Sequence, residues 1–475
     1  MTPAIATAVF VIVILGLFML DRDPEVRTSP GLWIPIFWLF ISSSRAVSMW
    51  VGETPTVSLT DEYIDGSPFD RAVYLTLLII GLIVLLRRGR QVTKLLRANA
   101  PIILFFLFCL ASIFWSDYTF VAFKRWTKAI GDIVMVLIVF TDLEPEAALK
   151  RLILRVGYVL VPLSVLFIKY YPALGRSFNK WSWTYLYSGV STTKNGLGTM
   201  CLVCGLVPVW RFFTVYRDKE EAHRAGKMTA YVAMVVMVLW LFVTADSMTS
   251  LSCFLMAGGL IMVTNIRAFE GKPWVAHFFI AVMISLSLFA LFFDAGGNLV
   301  GSLGRDATMT GRTGIWKAVL SVSGSPLIGT GFESFWMGQR LQRVWDMTAK
   351  GIQEAHNGYL EVYLNLGWLG IGLLAVVIVS GYRNAMAMYR RNADAGRIRL
   401  AFFAAALVYS FTEAGFRMMD PVWIAFLLAG FAIPVAPVPE ESSSLDLDLE
   451  LNDPLSRSKP RVNSLVSAPL RKGNF

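Results

Sequence analysis

Apolar residues in this chain come as long uninterrupted runs. Stretches near the roughly 20 residues a helix needs to cross a hydrocarbon core recur over 3–20, 31–51, 72–86, 100–115, 129–141, 156–171, 195–213, 229–244, 251–264, 275–293, 360–382, 400–416 and 422–438. A helix apolar on every side faces lipid or other helices, so the pattern predicts an all-α polytopic membrane protein of about 12–13 transmembrane helices. Two stretches break the rhythm. Residues 294–359 are long and mixed in character, which predicts a large structured loop containing short helices. Residues 439–475 are rich in Ser and charge and carry a single terminal aromatic, which predicts a disordered tail. The domain reading is a bundle of about ten spans over 1–293, the loop over 294–359, further transmembrane helices over 360–438, and the tail. No internal repeat is visible of the kind that builds two-halved transporters.

Composition agrees with a bilayer protein: 56% of residues are hydrophobic, 16% are charged, and the mean hydropathy is +0.58. Met1–Leu20 has no charged n-region or small-residue cleavage site and runs straight into Asp21 and Arg22, so it reads as a retained span. The net charge of +10 does not point to nucleic acid, because the cations are spread over many short loops and no basic domain gathers them. Their distribution encodes topology. Alternate loops carry 22 Lys and Arg against 9, the long loop set aside, and the richer set is cytoplasmic by the positive-inside rule. The N-terminus and the 294–359 loop are then outside and the tail inside. Four cysteines, Cys109, Cys201, Cys204 and Cys253, all lie in apolar runs. Cys201 and Cys204 lack the second Cys or His pair of a zinc site and read as packing residues.

Few ionisable groups lie at mid-depth. Arg45 follows three serines toward the outer end of its run and is expected to snorkel to the headgroups. Glu413 and Arg417, four apart, are expected to pair on one helix face, and Asp132 to pair with Lys128 or Arg125. Such sparse carboxylates do not make a proton relay. The outer face, by contrast, carries cations against the topological bias. These are Lys124 and Arg125 in "WSDYTFVAFKRWTK", Arg176 and Lys180 in "ALGRSFNKWSW", Lys194 in "GVSTTKNGLG", and Arg305, Arg312, Lys317, Arg340, Arg343 and Lys350 in the long loop. Many adjoin Trp or Tyr. Guanidinium forks bind phosphate oxygens and rings stack on sugars, so the set suits a sugar-bearing polyanionic headgroup, with an interfacial aromatic belt as the plainer reading.

Within the loop, Ile315, Ala318, Val319 and Val322 recur at helical spacing until Ser323-Gly324-Ser325-Pro326 stops them, with Arg312 and Trp316 on another face. "GTGF" at 329–332 could offer amides to a phosphate or be an ordinary turn. Asn357-Gly358 reads as the turn that opens the next span, leaving His356 at a helix N-terminus, where the dipole disfavours added positive charge. A neutral imidazole is what a general base requires; a merely capping histidine is the alternative. His223 and His277 have no comparable setting.

"GRTGIWKAVLSVSGSPLIGTGFESFW" followed by "AHNGYLEVYLNLGWLGIGLL" resembles the signature of the O-antigen ligase and polymerase superfamily, in particular its ExoQ-like exopolysaccharide polymerases. "WSDYTFVAFKRW", "STTKNGLG" and "TADSMTSLS" match weaker signatures, so the resemblance covers about residues 112–385. Two positions depart from the pattern: Thr193, where relatives often carry His, and Met248, where Lys is common. The resemblance implies a GT-C-like bundle in the bacterial inner membrane with its active site on the periplasmic side. It implies metal- and cofactor-independent, inverting glycosyl transfer between undecaprenyl-diphosphate-linked oligosaccharides, with membrane lipids and the pathway's flippase and chain-length-control proteins as partners. Carried over, His356 is the candidate base. Arg312 and the Lys124–Arg125 pair are candidates for the diphosphate, joined by Arg176 and Lys194, with Trp316 as a substrate-binding ring. A ligase using another acceptor, a lipid-linked oligosaccharide flippase, and a metal-dependent transferase using Asp21 and Asp23 are the competing readings.

Overall fold

The computed structural model describes residues 1–23, 26–52, 67–179, 184–292 and 309–434. Lys180, Arg305, residues 294–308 and the 439–475 tail lie outside the described residues. The protein is an all-α polytopic membrane protein, and each of the thirteen apolar runs contains helix among its described residues, although the runs 31–51, 400–416 and 422–438 are helical only in part. Among the described residues, seven helices are long and apolar enough to cross a membrane, or eight if Gly89–Ala98 and Ala100–Trp115, bent by 87°, make one span. The other runs fall short of that test for local reasons. Residues 31–51 are split into Trp33–Ser42 and Val47–Val51. Thr119–Phe140 contains Lys124, Arg125, Lys128 and Asp132, and Pro421–Gly430 stops after 10 residues.

The helix starts are chemically marked. Pro is at the first position of Pro3–Leu20, Pro68–Arg87, Pro145–Tyr170 and Pro421–Gly430, where its missing N–H is no loss. Thr193, Asn357, Asn392 and Asp420 cap helices with side-chain oxygens that accept backbone N–H groups. Pro145–Tyr170 and Lys194–Arg217 run through the centre, with 78% and 72% of their apolar windows buried, against 11% for Pro3–Leu20. Lys194–Arg217 packs on Pro145–Tyr170, Arg224–Ala245, Met248–Asn265 and Ala393–Tyr409.

The long loop carries the expected short helices, Met309–Ser321 and Gly338–Met347. They share a small core of Val319, Phe335, Trp336, Leu341, Val344, Ala355 and Leu364. What holds this cap to the bundle is a break in the next helix. Gly358–Arg391 loses helical geometry at Gly367, whose φ is 64°. The freed carbonyls of Leu364 and Asn365 accept from Thr330 N (3.2 Å) and Gly331 N (2.9 Å), while Trp368 N and Leu369 N donate to Pro326 O (2.9 Å) and Leu327 O (3.1 Å). The "GTGF" amides are thereby consumed: Gly329 N bonds Ser325 O and Phe332 N bonds Ser112 Oγ. The turn is structural and leaves no nest for phosphate.

Two buried charges differ from expectation. Arg45 does not snorkel; its guanidinium donates to the carbonyls of Leu174 (2.9 Å), Gly189 (2.8 Å) and Val190 (3.0 Å). Three carbonyls converging in one place give the buried fork charge-assisted hydrogen bonds inside the protein. Asp132 meets neither Lys128 nor Arg125; it accepts from Trp38 Nε1 (2.8 Å) and Met419 N (2.9 Å).

The close pairing of loop and broken helix makes a specific demand at Gly329, whose φ is +67° and whose added Cβ would lie 2.4 Å from the Asn365 backbone. Gly329→Ala is expected to cost upwards of about 1–3 kcal/mol, seen as a lowered Tm and a reduced monodisperse yield in detergent. Gly372→Ala, with nothing within 4 Å of the new methyl, should leave both unchanged.

Candidate active site

Ala393–Tyr409 ends seven residues before the end of the apolar run 400–416, and residues 410–420 cross to the next helix without helical structure. Glu413 is on this crossing and only 6% exposed. A buried carboxylate is tolerated when donors surround it, and here they come from three other segments. Arg312 reaches Oε1 at 2.9 Å from the loop helix. His356 Nδ1 stands 3.1 Å and Asn195 Nδ2 3.2 Å from Oε2. Glu413 and Arg417 therefore do not pair with each other as a helical i, i+4 couple would. Arg417 lies 3.8 Å from Glu333 and 3.9 Å from Glu354, and Arg125 donates to the Glu333 carbonyl.

His356 has φ 49°, an unusual conformation for a non-glycine residue. Contacts on both sides hold it there. Trp316 Nε1 donates to Ala355 O at 2.8 Å, and Ala355 N donates to Glu361 Oε1 at 2.5 Å. Asn357 Nδ2 bonds Phe411 O at 3.1 Å and Gly358 N bonds Ser410 O at 2.8 Å, locking the turn to the Glu413 crossing. Trp316 thus positions the histidine strand through its ring nitrogen. Glu361, inside the first turn of Gly358–Arg391, also receives Trp336 Nε1 at 2.9 Å.

The electrostatics correct the expectation of a neutral imidazole. Glu354 Oε1 lies 3.0 Å from the same Nδ1 that faces Glu413. Burial weakens proton binding by the ring, but the hydrogen bonds and charges of the two carboxylates outweigh it and raise the His356 pKa to about 10. Burial pushes Glu354 upward, but the His356 hydrogen bond, with Arg417 and Arg312 nearby, holds its carboxyl below the ordinary value. The helix dipole considered from sequence is a fraction of a charge, and two full carboxylates override it. With Nδ1 committed to carboxylates, its proton stays there and Nε2 is the nitrogen that exchanges protons with a ligand.

Glu354, His356 and Glu413 also offer ligand atoms within 4.8 Å of one another, a spacing that could hold a metal ion. Each carboxylate, however, faces a guanidinium, Arg312 on Glu413 and Arg417 on Glu354, and those cations oppose a second one.

Of the residues singled out from sequence, Arg312, Arg125, Trp316 and His356 meet in this network. Lys194 adjoins it through Asn195, with its Nζ 3.8 Å from Asp246. Thr193, one of the departures, is an N-cap whose Oγ1 accepts from Gly196 N at 3.0 Å. Met248 begins Met248–Asn265 and is exposed. Lys124 stands over the Phe120 ring, and Arg176 stands over Tyr187 and donates from Nε to Ile168 O at 2.8 Å. Asp21 and Asp23 lie elsewhere: Asp21 accepts from Tyr231 and faces Lys150, and Asp23 faces Lys227 at 3.6 Å. Lys227 also binds Glu221, the partner of Arg211, and Arg211 is about 25 Å along its helix from Lys194 at 1.5 Å per residue. Glu413, Glu354 and Glu333 were missed as site residues. Gly415 and Asp420-Pro421, close after Glu413, are the break signals that could have removed it from a continuous helix.

Residues 232–375 match the family described as O-antigen ligase (Wzy_C). The chain is 25% identical over 297 residues to the exopolysaccharide production protein ExoQ of Rhizobium meliloti (strain 1021), covering 58% of this chain and 63% of that relative's length. Arg312, Trp316, Glu354 and His356 fall inside the matched segment, while Arg125, Asn195, Glu413 and Arg417 come from outside it and complete the cluster. The two comparisons agree with each other: in this segment the chain is similar to the O-antigen ligase family and to ExoQ, and it spans less than two thirds of that relative's length.

Proposed function

We propose that the protein polymerises exopolysaccharide or O-antigen-like repeat units by inverting glycosyl transfer from an undecaprenyl-diphosphate-linked glycan at the periplasmic face of the inner membrane. The observation that carries this reading is the convergence of Arg312 and His356 on one buried carboxylate, Glu413. The acceptor hydroxyl attacks the anomeric carbon from the face opposite the diphosphate, and its proton passes to His356 Nε2. The anomeric C–O bond breaks and its electron pair leaves on the diphosphate oxygen. Arg312, with Arg125 and Arg417 behind it, supplies fixed positive charge where negative charge grows, a task cations perform well in a partly dry site. Lys194, Lys124 and Arg176 extend the cationic rim toward the donor and Trp316 keeps the histidine strand in place. The reading assigns charge stabilisation to guanidinium groups, so elongation in EDTA should equal that without it. A ligase would use the same donor chemistry with another acceptor; similarity to an exopolysaccharide production protein favours polymerisation.

Three outcomes are expected of the purified protein given lipid-linked repeat units, with products read by mass analysis. His356→Ala should reduce elongation by about 10²–10⁴-fold, the usual contribution of a general base, with unchanged membrane insertion. Arg312→Ala should cost about 10²–10³-fold in kcat and Arg312→Lys less, because a lysine keeps the charge but loses the fork. Wild-type chain lengths from the His356 variant would remove the base from the scheme.

The third outcome concerns pH. His356 is raised to about 10, so the imidazolium cluster is stabilising below the ordinary value near 6.5 and that stabilisation is lost as pH rises through about 10. Base activity runs the other way, since it needs Nε2 unprotonated. The rate should climb with pH well past neutrality, and Glu413→Gln should shift the rising limb to lower pH. An unshifted limb in that variant would contradict the carboxylate's control of the imidazole.

A further inference from the structure

The sequence from Arg71 to Ser116 contains no acidic residue, and five cations crowd into a short part of it: Arg87, Arg88, Arg90, Lys94 and Arg97. They surround the helix Gly89–Ala98, which follows the membrane-length helix Pro68–Arg87 and is bent by 87° from Ala100–Trp115. At about 100° per residue, Arg90, Lys94 and Arg97 share one face of this helix, and Val92, Leu95 and Leu96 share the opposite face. The apolar face is turned to the protein: Leu95 is buried, and Val92 and Leu96 pack on the core. Arg87, Arg90, Lys94 and Arg97 are all exposed.

Both ends of the helix are pinned. Before it, Arg88 donates to Ile138 O (3.0 Å), Thr141 Oγ1 (3.0 Å) and Ser29 Oγ (2.6 Å) and stands 3.5 Å from Asp142. After it, Asn99 Nδ2 donates to Ala432 O (3.0 Å), and Asn99 Oδ1 accepts from Ala432 N (2.7 Å). Arg88 is thus structural, whereas the other four cations make no ion pair or side-chain hydrogen bond among the described residues. Unpaired, exposed charges are too costly to place in hydrocarbon, so the bend lays the helix along the membrane surface. Leu86, 79% exposed immediately before Arg87, marks where lipid tails give way to headgroups. Leu104 and Leu107, exposed on the following helix, continue the lipid-facing surface beyond the other end.

We propose that this helix is a docking site for anionic phospholipid: Arg87, Arg90, Lys94 and Arg97 hold headgroup phosphates of the adjoining leaflet, the one that the count of loop cations assigns to the cytoplasm. Charge and place identify the partner. Four cations without an internal counter-charge are held at headgroup level by a helix fixed at both ends, so they meet an anionic surface with little ordering cost. Guanidinium forks bind phosphate oxygens in pairs. A zwitterionic headgroup offers the same phosphate with its charge cancelled, so the stripe selects phosphatidylglycerol over phosphatidylcholine. Nothing in the transfer scheme uses these residues.

The test titrates the full chain in detergent with phosphatidylglycerol or phosphatidylcholine, reading the rise in Tm and, by mass analysis, the lipid retained after washing. Wild type is compared with Arg90→Gln/Lys94→Gln/Arg97→Gln and with Arg22→Gln/Lys219→Gln/Lys272→Gln, which removes as many exposed cations from other loops assigned to the same side. Wild type and the second variant should retain phosphatidylglycerol in preference to phosphatidylcholine and gain Tm from it. The first variant should bind it roughly a hundredfold more weakly, from a loss of roughly fivefold per cation. Salt at about 1 M, where the Debye length falls to about 3 Å, should release the lipid from wild type as well, an arm that needs no substitution. Equal retention by wild type and the first variant would overturn headgroup docking and leave the face to an acidic protein partner. Equal loss from both variants, or no preference for phosphatidylglycerol in wild type, would overturn it too.

Discussion

The candidate site is organised by the need to compensate Glu413. A carboxylate this deeply placed costs several kcal/mol unless it is paired and hydrogen-bonded, and removing a partner from a buried pair typically costs about 3–5 kcal/mol. Arg312, His356 and Asn195 meet that need, and in doing so bring a loop helix, the histidine strand and the start of a central helix to the 410–420 crossing. The same contacts that neutralise the carboxylate arrange a cation and an imidazole side by side. Folding energy and chemical arrangement are here one set of hydrogen bonds.

Such convergence requires the long loop to sit firmly on the bundle. The break at Gly367 provides the attachment, since helix carbonyls that lose their own partners accept from Thr330 and Gly331, and helix amides beyond the break donate back to Pro326 and Leu327. Irregular backbone at the edge of a membrane bundle is stable only where other protein groups satisfy it. Phe335 and Trp336 then pack beneath the histidine strand, with Trp336 tied to Glu361, so cap and site share one small core.

Charged groups in the rest of the bundle follow the same rule in a structural role. Asp132 joins Trp38 to the Met419 backbone, Arg45 gathers three carbonyls, and Lys227 links Asp23 to Glu221. In each case a buried charge binds groups distant in sequence. This is why depth along a hydropathy profile did not distinguish functional from structural ionisable residues: Arg45 and Arg312 differ in their neighbours and share their residue type.

From the sequence alone came the all-α membrane class, the thirteen apolar segments, the short helices of the loop and the attention to His356, Arg312, Arg125 and Trp316. Those features depend on local patterning and on residue chemistry, which a linear chain displays. The protonated state of His356, the central place of Glu413 and the exchange of its presumed helical partner Arg417 for Arg312 depended on which segments meet in space. A helix ending at Tyr409 rather than continuing to 416 decided the matter, because it turned Glu413 from a helix-surface residue into the meeting point of three other segments. Electrostatic energies fall off over a few ångströms, and only the tertiary structure determines which charges come within that range.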